Sequence, residues 1–246
     1  MKQGRKGRKK SPALILPEPG APFHPVESVI FARRSVRLYR DRQVPEPLVR
    51  RVLEAGRFAP SAGNAQPWKF VVIQDRAMIR QMSEDVVKVC RLVRRIADYT
   101  EPGKQGRLRR AQFLQRLFPN LFHPIPLAAM TLIAQGKLGV WHGAPTVIVL
   151  LVDMRAPGKP FVDAGIAGQN MVLAAHALGM GTCWVSFIEP LSNMPRWRKK
   201  LFIRYPYKLV TSIALGYPLG EPDGEVLRET HAVPWYGEDG AYRVVY

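Results

Sequence analysis

Apolar positions recur at helical spacing over Val26 to Ala32 and again at Leu48, Val49, Val52, Leu53 and Ala55. Pro45 suits the first turn of that second helix, which runs to about Arg57. Trp68 to Gln74 (WKFVVIQ) is aromatic and β-branched and predicts a strand, and residues 75–97 read as a helix. Pro145 to Val152 (PTVIVLLV) is apolar throughout, as expected of a strand covered on both faces. A small-residue helix follows over Phe161 to Leu178, ended by Gly179-Met180-Gly181. Thr182 to Phe187 predicts a short strand, Pro195 to Leu201 a helix, and Lys208 to Tyr217 a third strong strand. The loop 59–67 contains two prolines and a glycine and cannot be regular. Residues 98–125 are basic and broken by Pro102, Gly103, Gly106, Pro119 and Pro124, with a helix-like stretch from Arg107 to Phe118. The span 98–140 is therefore expected to be an excursion from the core, a helical lid that shapes a substrate mouth. The last 25 residues read as an extended tail, and no internal repeat is visible.

Strands separated by helices argue for an α/β sandwich around one central sheet, without the regular alternation of a doubly wound fold. No G-x-G-x-x-G follows any strand, so a dinucleotide domain of that type is absent. The 246 residues and 47% hydrophobic content suit one domain, expected over 23–246 behind a flexible arm at 1–22. The uncharged apolar run Ala144 to Val152 is nine residues, against about 20 for a membrane span. The four-residue apolar patch Ala13 to Leu16 is too short for a secretory signal, and two distant cysteines make no disulfide framework, so a reducing cytoplasm is expected.

The formal charge of +18 sits in three places: residues 1–10, 91–116 and 196–208 each carry a net +6. Such fields draw anionic partners, with nucleic acid, an anionic membrane surface and an acidic electron-transfer protein as candidates. Solvated basic faces are the plainer reading, and no zinc finger, RNP or helix-turn-helix pattern favours nucleic acid.

Three motifs could carry chemistry. Arg33-Arg34-Ser35-Val36-Arg37 offers guanidinium forks and a hydroxyl suited to phosphate. If extended, it puts Arg33 and Arg37 about 13 Å apart on one side, enough to span a mononucleotide; a solvated helix end is the alternative. Pro60-Ser61-Ala62-Gly63-Asn64-Ala65-Gln66-Pro67-Trp68 sets short polar groups on a stiff loop that could meet a flat heterocycle, or simply leads into the strand. Gly179 to Ser186 allows close main-chain approach to a ligand. Cys183 has no adjacent base and reads as a buried thiol rather than a nucleophile. The five histidines show no ligand spacing for a metal; Trp141 and His142 could line a substrate side, while His176 reads as a packed histidine.

Taken in order, RRSVRLYRDRQVPEPLVRRVLEAGRFAPSAGNAQPWKFVVIQD (33–75), GAPTVIVLLVD (143–153), DAGIAGQNMVLAAHALGMGTCWVSF (163–187) and SIALGYPLGEP (212–222) resemble the nitroreductase family of FMN oxidoreductases. The resemblance implies an α+β fold with a mostly antiparallel sheet flanked by helices, in a homodimer with swapped C-terminal arms. It implies that Arg33, Arg34 and Ser35 hold the FMN phosphate and that Arg37 meets the pyrimidine edge, supporting the negative charge of reduced flavin. Pro60, Ser61, Ala62, Asn64 and Gln66 would come from the other subunit. Cys183, Trp184, Val185 and Ser186 would lie over the ring with a main-chain N–H near N5. Only Arg228 stands where the family often has a basic pair on the phosphate. The implied activity is electron transfer from NAD(P)H through flavin to a nitroaromatic, quinone or activated alkene, with no acid–base side chain required. A ferredoxin or flavodoxin donor, or a specialised flavin reaction such as dehalogenation or flavin breakdown, is the alternative within the fold. A basic nucleic-acid-binding protein on a flavin scaffold is the alternative outside it.

Overall fold

The computed structural model describes residues 22–97, 109, 112–113, 116–117, 124–220, 229 and 231–245. The chain divides into two units, 1–32 and 33–246. In the first, α1 (Pro25–Ala32) buries none of its residues, and the rings of Phe23 and Phe31 sit 4.8 Å apart. The basic arm lies outside the described residues except for its last position.

The second unit is built on a four-stranded antiparallel sheet in the order β1 (Trp68–Ile73), β2 (Thr146–Asp153), β4 (Tyr207–Gly216), β3 (Gly181–Val185). Seven of the eight residues of β2 are buried, which explains why its sequence is apolar without alternation. Ile148 and Leu150, with Ile213 and Leu215, join Val49 and Val52 of α2 (Glu46–Arg57) and Met171, Val172 and Ala175 of α5 (Pro160–Ala177). Val147, Val149 and Leu151, with Cys183 and Ala214, join Met82 and Val86 of α3 (Arg76–Ala97) and Met130 and Ile133 of α4 (Pro124–Ala134). Helices therefore cover both faces of the sheet. Gly168 of α5 makes room for the Trp184 indole and Leu150, since a Cβ there would collide with both.

The second half of the expected excursion is core. Met130, Ile133 and Ala134 of α4, and Val140 after it, are buried, because the run PIPLAAMTLIA is apolar on nearly every side and packs against α3. The first half lies mostly outside the described residues; Arg109, Gln112, Phe113, Arg116 and Leu117 are helical there. The short α6 (Pro195–Lys200) is fixed by Trp197, fully buried, whose indole Nε1 donates to Asp85 on α3 at 2.8 Å. The expected tail includes an exposed hairpin, β5 (Val233–Tyr236) with β6 (Tyr242–Val245). No helix among the described residues is long and apolar enough to cross a membrane.

Candidate functional site

The arginine motif lies along the edge of the sheet. Ser35 bridges Thr182 of β3 in parallel, and the Val36 N–H donates to the Thr182 carbonyl at 2.9 Å. Farther on, Tyr39 bridges Pro218. Val36 is buried while Ser35 and Arg37 face outward, the alternation of an extended segment; Arg33 and Arg34 are half-buried. Gly181 permits this approach, because a Cβ there would sit 2.6 Å from Val36 Cγ2. Tyr39 secures the turn, donating its hydroxyl to the Val36 carbonyl at 2.7 Å.

Charge links this segment to β3. Burial raises the Cys183 thiol pKa, and Arg37 and Arg33 oppose the rise. Burial, reinforced by Cys183, pushes the Tyr39 phenol up against the opposing pull of Arg37. Burial and then Arg37 push His142 down, while burial and then Arg33 and Arg34 do the same to His176. Neither Arg33 nor Arg37 pairs with a carboxylate among the described residues. Guanidinium groups gathered with a hydroxyl along one sheet edge are a donor set suited to a phosphate and a polar ring edge.

Cys183 and Val185 are buried, Trp184 is half-buried against α5, and only Ser186 is exposed. Thr182 faces its backbone away from β4, so strand alternation aims the Trp184 N–H along that same open edge. Trp141 is held in the core by hydrogen bonds rather than standing on the surface. It is buried, its Nε1 donates to Ser212 Oγ at 3.0 Å, and that hydroxyl donates to the Val185 carbonyl at 2.7 Å. His142 next to it is half-buried in a left-handed conformation (φ 56°), its Nδ1 enclosed without a hydrogen-bond partner.

The second loop closes on itself. Ser61 Oγ accepts from the Gln66 N–H at 2.9 Å, and Gln66 Nε2 donates to Asn64 Oδ1 at 3.2 Å. Gly63, Asn64 and Gln66 all have positive φ. The Ala62 N–H donates to Asp163 of α5 at 3.3 Å; Pro60 and Asn64 are exposed, and Ser61 and Ala62 half-buried. Asp163 and the tight contact between Ala62 and Gly158 were not legible as partners of this loop in the sequence.

One chain does not bring the two motifs together. The loop leads into β1 at one edge of the sheet, whereas the arginines dock on β3 at the other, about 14 Å away across three strand spacings. They also lie at opposite ends of α5: Asp163 holds the loop, while His176 feels Arg33 and Arg34, about 20 Å along the helix. Arg228 lies outside the described residues.

Comparison with known proteins identifies the family to which this fold belongs. The Nitroreductase family model matches residues 30–217. A relative named NADH dehydrogenase from Thermus thermophilus is 37% identical, the match covering 81% of this chain and 90% of the relative. A 4-nitrobenzoate reductase from Nocardioides is 30% identical over 84% of each chain. The crystal structure of a nitroreductase with bound FMN from Desulfitobacterium hafniense shares the fold, with a TM-score of 0.61 and 21% identity, over 84% of this chain and 95% of that one. The chain belongs to the nitroreductase family.

Proposed function

We propose that the chain is the protomer of a homodimeric FMN oxidoreductase that takes electrons from NAD(P)H and passes them to a small acceptor such as a nitroaromatic or a quinone. The carrying observation is the arginine segment docked along β3, where Arg33 and Arg37 have no carboxylate partner among the described residues. In this reading Arg33, Arg34 and Ser35 hold the phosphate, joined by Arg228. Arg37 meets the pyrimidine edge, with His142 behind it. The Cys183–Ser186 stretch lies over the ring, with the outward Trp184 N–H facing it. Pro60, Ser61, Ala62, Asn64 and Gln66 reach that ring from the partner, because their own chain holds them too far away. Bound FMN would supply reversible two-electron chemistry. The residues of the chain bind and orient it, and Arg37 offsets negative charge arriving at the pyrimidine edge. The names of the relatives support NADH and nitro compounds as substrates. The exposed apolar hairpin at Trp235, Tyr236 and Tyr242 supports a covering second copy. Two buried free thiols suit a reducing cytoplasm.

The visible absorption spectrum tests the reading: purified protein is expected to be yellow and to release FMN on denaturation. Arg33→Ala should mainly weaken FMN retention, whereas Arg37→Ala should mainly slow anaerobic reduction by NAD(P)H. A colourless protein that takes up no added FMN would overturn the assignment.

A further inference from the structure

On β4, β3 pairs with Ser212–Gly216 alone, so among the described residues β4 has a strand on one side only from Tyr207 to Thr211. Its other side opens into a cleft of about 830 Å³. Ser186, the exposed end of the stretch assigned to the flavin, forms part of the wall. The size falls in the range of small-molecule sites. Phe161, Tyr205 and Tyr207 supply aromatic surface. Arg198, Arg204 and Lys208 supply three cations against the single carboxylate of Glu189. Of these, Arg198 sits on a fixed support: its Nε donates to the Ile203 carbonyl at 3.3 Å, and buried Trp197 ties α6 to Asp85. A neutral ring would need only the aromatic surface. Three cations lining one cleft add a preference for negative charge.

We propose that this cleft is the second-substrate site and that it selects planar aromatic molecules carrying an anionic group. The inference rests on the FMN reading above. The anion can be the carboxylate of an oxidised acceptor or a phosphate of the nicotinamide donor, and the two sources give different kinetics.

The test uses the FMN-loaded enzyme with 4-nitrobenzoate and nitrobenzene, which share the nitro group and ring and differ in charge. kcat/KM should favour 4-nitrobenzoate by roughly ten-fold, the sum of a few partly exposed charge contacts. That ratio should shrink at high salt and in the double variant Arg204→Gln/Lys208→Gln. Unreactive 4-aminobenzoate should perturb the flavin spectrum at lower concentration than aniline, which reads binding without turnover. If the double variant instead slows anaerobic reduction by NADPH more than by NADH, the charge recognised is that of the donor's phosphate. Equal use of both acceptors, with salt and the double variant leaving the ratio unchanged in a yellow, active protein, would overturn the inference alone. Salt-sensitive reduction by an acidic ferredoxin, uncontested by 4-aminobenzoate, would also overturn it and assign the cations to a protein partner. Failure of the FMN reading looks different, since the protein would then hold no flavin.

Discussion

At Gly181 a single hydrogen atom decides where five residues of the arginine motif can lie. Val36 is buried against this position, and its N–H is committed to the Thr182 carbonyl. In Gly181→Ala the new methyl would meet Val36 Cγ2, Cβ and Cγ1 at 2.6, 2.7 and 2.9 Å, so the segment must lift from β3. Overpacking of this kind costs about 1–3 kcal/mol. Because Ser35 and Arg37 move with Val36, FMN affinity is expected to fall at least roughly ten-fold, with a lower melting temperature. Equilibrium flavin binding and calorimetry read the two effects separately. Unchanged flavin affinity in a destabilised protein would detach the arginine segment from the cofactor.

Among the elements, α6 depends on one carboxylate. Asp85 of α3 accepts from the Trp197 indole at 2.8 Å, from Lys88 at 2.9 Å and from Arg196 at 2.8 Å. The Lys88 hydrogen bond leads in holding its pKa below the usual carboxylate value, with the Trp197 bond and the Arg196 charge adding to it against burial. Asp85→Ala leaves the buried indole N–H unpaired, a loss of about 1–3 kcal/mol, or a few degrees in Tm. The sign with pH follows from the depressed value. The contribution of Asp85 is fully present above the ordinary carboxylate pKa and disappears as pH falls through its lowered one, so the gap between wild type and Asp85→Ala should narrow in acid. Thermal unfolding at neutral pH and near pH 3 checks both the size and the trend. This clamp was invisible in the sequence, since Asp85 and Trp197 are joined only by the tertiary fold. The strands were legible because β2 and β4 must present apolar residues to covered faces, which marks them locally. The segment 98–140 misled for the opposite reason: its charge and prolines hid the largely apolar α4, whose burial depends on α3.

For the whole molecule, the separation of the two motifs within one chain is the decisive feature. Each motif was legible on its own, the arginines from their charge and the loop from its prolines, but no local pattern says that they occupy opposite edges of a sheet. If a site combines the arginines of one protomer with the loop of the other, two differently damaged chains can repair each other. A chain carrying Arg33→Ala and Arg37→Ala has a sound loop; a chain carrying Ser61→Tyr and Asn64→Tyr has sound arginines. In a heterodimer one site receives both defects and the other receives neither. Random reassortment of equal amounts makes half the dimers mixed, so about a quarter of all sites should recover FMN binding and turnover in a closed two-fold assembly. Each variant alone should stay near zero. A site assembled within one chain would recover nothing on mixing, because every chain would carry its own defect into its own pocket. Measuring flavin content and NAD(P)H-dependent activity after denaturing and refolding the mixture, against each variant refolded alone, distinguishes the two arrangements.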